Sequence, residues 1–539
     1  MRALLVQSAT PSTYWGYQHS LPFVRKKAAL PPLGIATLAA HLPESWQLRL
    51  RDLHVGPLSD DDLRWADAVL VSGMLVQAAS MREVLARARA FGKPTVVGGP
   101  APTTSPDAFP EATHVFQGEA EGRLERLVLA LERPGSVTDR VLSPPGLERP
   151  DLAQARVPRF DLLELCAYAS FAIQVSRGCP FSCEFCDIIE VFGRVPRFKS
   201  PAQVVAELET LLRLGARGPL FLVDDNFIGN RRAAAEVLQA IGAWQRERNR
   251  PFDLYTEASV DLAGEPALLR AMVDAGFTAV FVGIETPSAE SLRSAGKKQN
   301  LRMDPSEAVR VLTAAGLEVF AGFIVGFDGD DESIFERQAE FIGALAIPRA
   351  MVGMLSALPG TALWRRLERE GRLRAEASGD QFDRPNFVPA MGEGALVAGY
   401  RRLLADLYSE EGYFRRCALH LDSAPFRRTP LRSGSIGTLL RAVWRLGVVG
   451  PRRKWFWQLL GLGVRRGGAA AVPKAVTLAI LGEHLIRYTR EEVLPRLDRL
   501  LGTAPPETVS VVTPPRPVPG AWPLPAGIPP GAPVATAGS

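Results

Sequence analysis

Cysteine is scarce in this chain, with five among 539 residues. Three of them lie between Cys179 and Cys186, while Cys166 and Cys417 stand apart from these and from each other. That distribution is no disulfide framework and points to a reducing compartment, the cytoplasm. Long apolar runs are missing too. No stretch reaches the roughly 18 apolar residues of a spanning helix. The opening Met1-Arg-Ala-Leu-Leu-Val-Gln is too short in its apolar part for a signal peptide, and polar residues follow it. Acidic residues are missing from one region only. Between Ser423 and Gly482 there are eleven Lys or Arg and no Asp or Glu, so the remaining chain carries −6 although the net charge is +5. The basic excess therefore describes one surface. It carries no zinc-finger or helix-turn-helix pattern, so no nucleic-acid partner is expected.

What is present is an ordinary globular composition, 47% hydrophobic and 22% charged, in a length that suits about three domains. Residues 1–135 alternate strand-like runs (Arg2–Gln7, Leu48–Asp52, Ala68–Ser72, Thr95–Gly99, His114–Gln117) with helix-like ones (Leu33–Leu42, Met81–Phe91, Glu121–Leu131). Single helices between strands imply a parallel, doubly wound sheet. Residues 136–168, rich in Pro and Arg, read as a linker. Residues 169–375 repeat strand then helix six times, which predicts a partial (β/α)6 barrel. Its strands are expected at Ala172–Val175, Leu220–Val223, Leu254–Ala258, Ala279–Ile284, Val319–Val325 and Ala350–Leu355. Residues 376–502 read as a helical domain, and 503–539 as a disordered Pro/Ala/Gly-rich tail.

The chemistry-bearing stretch is Ser176-Arg-Gly-Cys179-Pro-Phe-Ser-Cys183-Glu-Phe-Cys186. Three thiolates on one tight loop can hold three irons of a cubane cluster and leave the fourth iron open. A structural zinc site, or three unrelated thiols, is the alternative. Zinc takes four Cys or His ligands in paired spacings, and no fourth ligand lies nearby in sequence. The C-x3-C-x2-C spacing, with an aromatic residue before the last cysteine, resembles the radical S-adenosylmethionine (radical SAM) family. The resemblance implies that Cys179, Cys183 and Cys186 hold a [4Fe-4S] cluster whose open iron is chelated by SAM.

The strand ends ahead of that loop carry Asp52-Leu-His54, Ser72-Gly73, Gly98-Gly99 and Gly118-Glu119. Ligands of parallel sheets bind at such ends, and glycine lets the backbone approach them closely. With Pro31-Pro-Leu-Gly34, these features resemble the cobalamin-binding domain that precedes many radical SAM barrels. A flavodoxin-like domain without cofactor is the alternative. In the familiar D-x-H-x-x-G pattern the histidine ligates cobalt. Here the glycine after His54 comes one place early, at Gly56, so His54 is either a lower axial ligand or a polar residue at the mouth of the site.

In the barrel half, the same resemblance places SAM at the carboxyl ends of the strands. Asp224-Asp225-Asn226 stands where the family often has Gly-Gly-Glu facing the SAM amino group. Glu257 and Ser259 follow the third strand, Gly283-Ile-Glu285 the fourth, and Gly322-Phe-Ile324-Val-Gly326 resembles the adenine-contacting G-x-I-x-G strand. Taken together, the chain resembles cobalamin-binding radical SAM proteins with a helical C-terminal extension, a group that includes the hopanoid C-2 methylase. The resemblance implies a C-methyltransferase. SAM is split by one electron, the 5′-deoxyadenosyl radical takes hydrogen from an unactivated carbon, and methylcobalamin supplies the methyl group. It also implies a small-molecule or lipid substrate, hopanoid-like or otherwise, and a one-electron donor such as a flavodoxin or ferredoxin. A cobalamin-dependent oxidative cyclase or ring-rearranging enzyme remains open, as does a cobalamin- or redox-sensing binding protein. Finally, Leu439–Leu446 has apolar residues at helical spacing, and Arg452-Arg-Lys454 precedes Trp455-Phe-Trp457. Cations beside aromatic rings suit peripheral contact with the inner face of the cell membrane through residues 423–482, or else a core helix with a solvated face.

Overall fold

The computed structural model describes residues 1–143, 149–423, 425 and 435–502. The tail expected to be disordered, 503–539, lies outside the described residues. The first sheet consists of β1 (Arg2–Gln7), β2 (Gln47–Asp52), β3 (Ala68–Ser72), β4 (Thr95–Gly98), β5 (His114–Phe116) and β6 (Val141–Leu142), in the order β2-β1-β3-β4-β5-β6. All its pairings are parallel. The central strand β1 is apolar on both faces, as a sheet covered on both sides requires. Ala3 and Leu5 enter the main core, which continues into the barrel, while Leu4 and Val6 enter a second cluster with Met81, Val84 and Leu85 of the helix Ala78–Ala90.

Two local readings shift. β6 pairs within the stretch read as a linker. The helix expected from Glu121 begins at Glu125, because the preceding residues do other work. Gly122 has φ +65°, and Glu121 is held by Arg177, from a short ribbon beside the second sheet.

That second sheet holds β7 (Phe171–Ile173), then β10 (Gly218–Leu222), β11 (Phe252–Ala258), β12 (Phe277–Glu285), β13 (Glu318–Val325) and β14 (Ala350–Met354). Between β7 and β10 a short antiparallel ribbon, β8 (Ser176–Arg177) and β9 (Arg197–Phe198), frames the cysteine loop. The six strands run parallel in sequence order, which makes an open barrel. Burial alternates along β11, so that Asp253, Tyr255 and Glu257 face the lumen while Leu254, Thr256 and Ala258 face the covering helices.

The C-terminal helices close the assembly. Glu393–Leu407 packs on Ile334–Ala344, where Gly399 admits Phe335; a Cβ at that position would lie 2.0 Å from its ring. Arg453–Gly467 packs on Glu410–Ser423 and Val472–Tyr488. The segment after β1 threads between barrel and helices. Tyr14, fully buried, sits among Phe382, Tyr408 and Tyr488 with ring centroids 5.0–5.6 Å apart.

The basic aromatic segment is divided by this packing. Arg452 is buried and lies 3.4 Å from Glu483. Trp455 stacks on Phe414, and Phe456 is core. Arg453, Lys454 and Trp457 are exposed. Among the described residues no helix is long and apolar enough to cross a membrane.

Candidate functional site

The cysteine loop leaves β7 through a staple that its own sequence does not reveal. Asp224, fully enclosed after β10, accepts hydrogen bonds from the Val175 N–H (2.8 Å), the Ser176 N–H (3.1 Å) and the Ser176 hydroxyl (2.9 Å). Burial pushes its carboxyl up to about 6. The next residue, Asp225, accepts from the Gly178 N–H at 3.1 Å. Gly178 must be glycine: its φ is +95°, and a Cβ would meet the Gly193 carbonyl at 2.9 Å. The Cys179 N–H donates to that same carbonyl, closing the loop.

The loop presents three partly buried thiols. Each has an N–H donor. Backbone amides of Phe181 and Ile188 reach Cys179 and Cys186, and Gln299 Nε2 lies 3.5 Å from Cys183 Sγ. Burial pushes the Cys179 and Cys186 thiols up, so as isolated thiolates they are disfavoured. Metal ligation with N–H donors on sulfur is the arrangement that stabilises them. Among the described residues no three Cys, His, Asp or Glu side chains converge on one point as ligands of a single ion. A cubane makes no such demand, since each thiolate takes a different iron.

Next to the loop lies a lysine that the motif reading missed. Lys297 forms an ion pair with Glu285 and sits 5.9 Å from the Phe185 ring. Burial disfavours its charge, but Glu285 and the neighbouring thiols of Cys183 and Cys186 outweigh burial and hold the ammonium above its ordinary range. Glu285 itself has φ +70° at a register irregularity opposite β13. A non-glycine residue held there is the kind of strain that collects at functional sites. Asn300 Nδ2 holds the Gly283 and Ile284 carbonyls, both at 2.9 Å.

The other barrel residues divide by role. Burial, reinforced by Asp224, pushes Asp225 up to about 7, and burial with both aspartates pushes Glu257 up to about 8. Neither has a cationic hydrogen-bond partner among the described residues. Ser259 is tied to Asn226, whose Nδ2 donates to its Oγ at 3.2 Å. At Gly322 a Cβ would strike Phe281 at 2.8 Å, so glycine lets that ring fill the lumen. Ile324 packs beside Phe185 in a cluster with Phe327 and Leu355. The Gly326 N–H donates to Asp330 at 2.9 Å.

Of the strand-end residues in the first sheet, Asp52 and His54 line the central cavity. Asp52 Oδ1 takes the His54 N–H and Nδ1, at 3.0 and 2.8 Å, and Tyr168 donates to Oδ2 at 3.0 Å. The Thr10 N–H donates to His54 Nε2 at 2.9 Å. With Nδ1 protonated toward Asp52, the one lone pair of the ring is thus already engaged. Gly73 and Gly99 abut, since a Cβ on Gly99 would lie 3.1 Å from the Gly73 carbonyl oxygen and 2.9 Å from Ser72 Oγ. Gly98 packs on Phe116, and the Gly118 N–H donates to Thr103 Oγ1. Glu119 turns away to the other sheet. It pairs with Arg177 Nη1 at 2.8 Å and Arg197 Nη2 at 2.8 Å, while Glu121 takes Arg177 Nη2 at 2.6 Å. This buried quartet joins the first sheet to the ribbon that carries the cysteine loop.

One cavity of ≈ 2470 Å³ connects these regions. It reaches Asp52, His54 and Met74 at the first sheet, and Tyr255, Glu257, Phe281 and Phe320 in the barrel lumen. A cleft of this kind, running from a nucleotide-type sheet into the lumen of a barrel, suits a large cofactor and an organic substrate together; the three-thiol loop itself does not line it.

Comparison with known proteins agrees with this geometry. The profile described as the radical SAM superfamily matches residues 173–342, and that described as a B12 binding domain matches 25–128. A domain of unknown function (DUF4070) matches 361–495. The chain therefore belongs to the cobalamin-binding radical SAM family. Within it, the chain is 33% identical over 501 residues to the hopanoid C-2 methylase of Rhodopseudomonas palustris, covering 91% of this chain and 94% of that one. It is 41% identical over 506 residues to an uncharacterized methyltransferase of Synechocystis sp., covering 92% and 93%. Among solved structures, the radical S-adenosylmethionine methyltransferase TsrM from Kitasatospora setae, with cobalamin and a [4Fe-4S] cluster bound, superposes with TM-score 0.59 at 16% identity, over 91% of this chain and 99% of that one. That likeness concerns the fold. The protein is a cobalamin-dependent radical SAM methyltransferase, and its cofactors are a [4Fe-4S] cluster, SAM and cobalamin. The cyclase and sensor readings are not needed.

Proposed function

We propose that the enzyme methylates an unactivated carbon of a lipid skeleton, hopanoid-like in being large, rigid and apolar. The observation that supports this reading is the cavity of ≈ 2470 Å³, walled by Tyr255, Phe281 and Phe320 and continuous from the first sheet to the barrel. A small polar substrate would leave most of that apolar wall wet. The hopanoid C-2 methylase among the relatives points the same way.

When bound, the cofactors supply one-electron cleavage of SAM and a transferable methyl group. The chain's own tasks follow from its residues. Cys179, Cys183 and Cys186 hold the cluster, with Phe181, Ile188 and Gln299 donating to their sulfurs. Asp224 positions the loop rather than touching SAM. Asp225 and Glu257, half-buried and without a cationic hydrogen-bond partner among the described residues, suit the SAM ammonium, whose charge would lower both carboxyls. Lys297, paired with Glu285, suits the SAM carboxylate. Glu285 and Ser259 would serve the ribose hydroxyls, and Gly322, Ile324 and Gly326 the adenine edge. Asp52, His54, Ser72, Gly73, Gly98, Gly99 and Gly118, at the ends of the first sheet, would hold cobalamin. There His54 orders the mouth through Asp52 and Thr10 without ligating cobalt.

The reaction also needs a one-electron donor such as a flavodoxin or ferredoxin. A cytoplasmic location, with peripheral contact of residues 423–482 with the inner face of the cell membrane, would bring enzyme and lipid together. The test is expression in cells fed methyl-labelled methionine, with mass spectrometry of the lipid extract. A labelled lipid absent from cells that carry the Cys183→Ala variant is expected; an unchanged lipid profile would overturn the proposal.

A further inference from the structure

The helix Ser435–Ala442 and its continuation Val443–Val448 turn a row of apolar side chains outward. Ile436, Leu440, Trp444 and Val448 recur every fourth residue and are 65%, 63%, 62% and 49% exposed. Residues at that spacing share one helix face. Val449 and Trp457, 63% and 48% exposed, widen the row at the next helix. Single exposed apolar residues need no explanation, but a contiguous row does. The opposite side of the same helix is anchored. Ala442 and Leu446 are buried, and Arg441 Nε donates to the Phe23 carbonyl at 2.7 Å. The outward row is therefore not a core face left open by a loose helix.

Two further observations say what covers it. Arg453, Lys454 and Arg465 are exposed on the helix that carries Trp457, within a stretch that has eleven basic residues and no acidic one, while Arg466 pairs with Asp422 at 2.6 Å. Apolar residues with tryptophan, beside exposed cations, complement a surface that is anionic outside and apolar beneath. In addition, the same helix borders the central cavity, since Ile436, Thr438, Leu439 and Arg441 line it.

We propose that this face seats on an anionic lipid bilayer, and that the substrate passes from the bilayer beside Ser435–Ala442 into the cavity. The inference rests on the lipid-substrate reading above for its second half only. The seat consists of Ile436, Leu440, Trp444 and Val448, which insert, and the exposed cations, which meet head groups. The buried Arg452 and Phe456 take no part.

The test is co-sedimentation of the full-length protein with vesicles of phosphatidylcholine alone, or of phosphatidylcholine with phosphatidylglycerol, at low and high salt. Binding to the anionic vesicles at low salt is expected, with loss at high salt and on phosphatidylcholine alone. Each cation near such a surface is worth about fivefold in binding, so the R453E/K454E variant should bind at least about tenfold more weakly. L440E/W444E should do the same. L214E, which places a charge at an exposed leucine on the barrel (43% exposed), should bind as the wild type does. Wild type that stays in the supernatant, or L440E/W444E that binds undiminished, would overturn the proposal. So would a wild-type dimer that W444E dissolves, because a second copy would then cover the face. Methylation separates the two readings. If the docking variants methylate detergent-dispersed lipid normally and vesicle-embedded lipid slowly, entry from the bilayer is supported. An equal loss on both overturns the entry route. If vesicles are bound but no lipid is ever methylated, docking stands and the substrate reading fails.

Discussion

Replacing Glu119 by Gln isolates the contribution of the quartet that joins the first sheet to the ribbon framing the cysteine loop. Glu119 accepts three hydrogen bonds, at 2.8 Å from Arg177 and at 2.8 and 3.2 Å from Arg197. All four side chains, with Glu121, are at most 17% exposed and sum to zero charge. Glutamine keeps the shape but leaves two buried guanidinium groups facing one carboxylate. Breaking a buried pair from one side costs about 3–5 kcal/mol. In a chain of 539 residues that corresponds to roughly 3–4 °C in Tm. The half-exposed pair Arg2–Asp67, 44% and 42% exposed, is the internal reference. Asp67→Asn should cost about 1 kcal/mol or less. Because Arg177 lies two residues before Cys179, the Glu119→Gln variant should also retain less iron after anaerobic purification, while cobalamin absorbance per folded protein stays near normal. Thermal melts and iron analysis of both variants read this out. A Glu119→Gln variant no less stable than Asp67→Asn would refute the reasoning. Normal stability with lost cobalamin would instead return Glu119 to the corrin site.

Three other outcomes are expected. Cys183→Ala should lose the roughly four irons of a cubane and all SAM cleavage, whereas Cys166→Ala, on an exposed turn outside the loop, should keep both, as iron analysis and 5′-deoxyadenosine release will show. His54→Ala should retain most cobalamin with an unchanged visible spectrum, since Nε2 is already occupied by the Thr10 N–H; a spectral shift on substitution would mean that it ligates cobalt. Burial raises Glu257 from 4.5 to about 8, so the folded state holds that proton more tightly than the unfolded chain. The resulting stability is complete below about pH 4.5 and is lost as pH rises toward about 8. Melts of the SAM-free protein should therefore fall across that window, less steeply in Glu257→Gln and less steeply with SAM bound; equal slopes in variant and wild type would contradict the assignment.

Much of the architecture was legible because it rests on local pattern. Strand runs such as Ala68–Ser72 coincide with their observed bounds, and each is punctuated by glycine or by a capped helix, as Ser200 with Gln203 illustrates. What escaped depends on partners distant in sequence. Glu119 looks like any strand-end carboxylate until Arg177 and Arg197, 58 and 78 residues on, close around it. Asp224 resembles a ligand-binding carboxylate, yet spends every contact on the turn that begins the cysteine loop. Lys297 belongs to no motif, and only the fold sets it beside Glu285 and the cluster loop. In the basic segment, composition did not indicate which side chains turn inward. Arg452 finds Glu483 and Trp455 finds Phe414 in the interior, and the outward face falls to Ile436, Leu440 and Trp444.

The central claim is methyl transfer to an unactivated carbon of a lipid, driven from the Cys179–Cys183–Cys186 loop. The most direct measurement uses the anaerobically reconstituted full-length enzyme with cobalamin, a chemical reductant, dispersed lipid extract and SAM bearing a deuterated methyl group. Mass spectrometry should find a lipid that has gained the labelled methyl group, with one 5′-deoxyadenosine formed per product, and neither product from Cys183→Ala. A methylated lipid without the label, or full turnover by Cys183→Ala, would contradict the account.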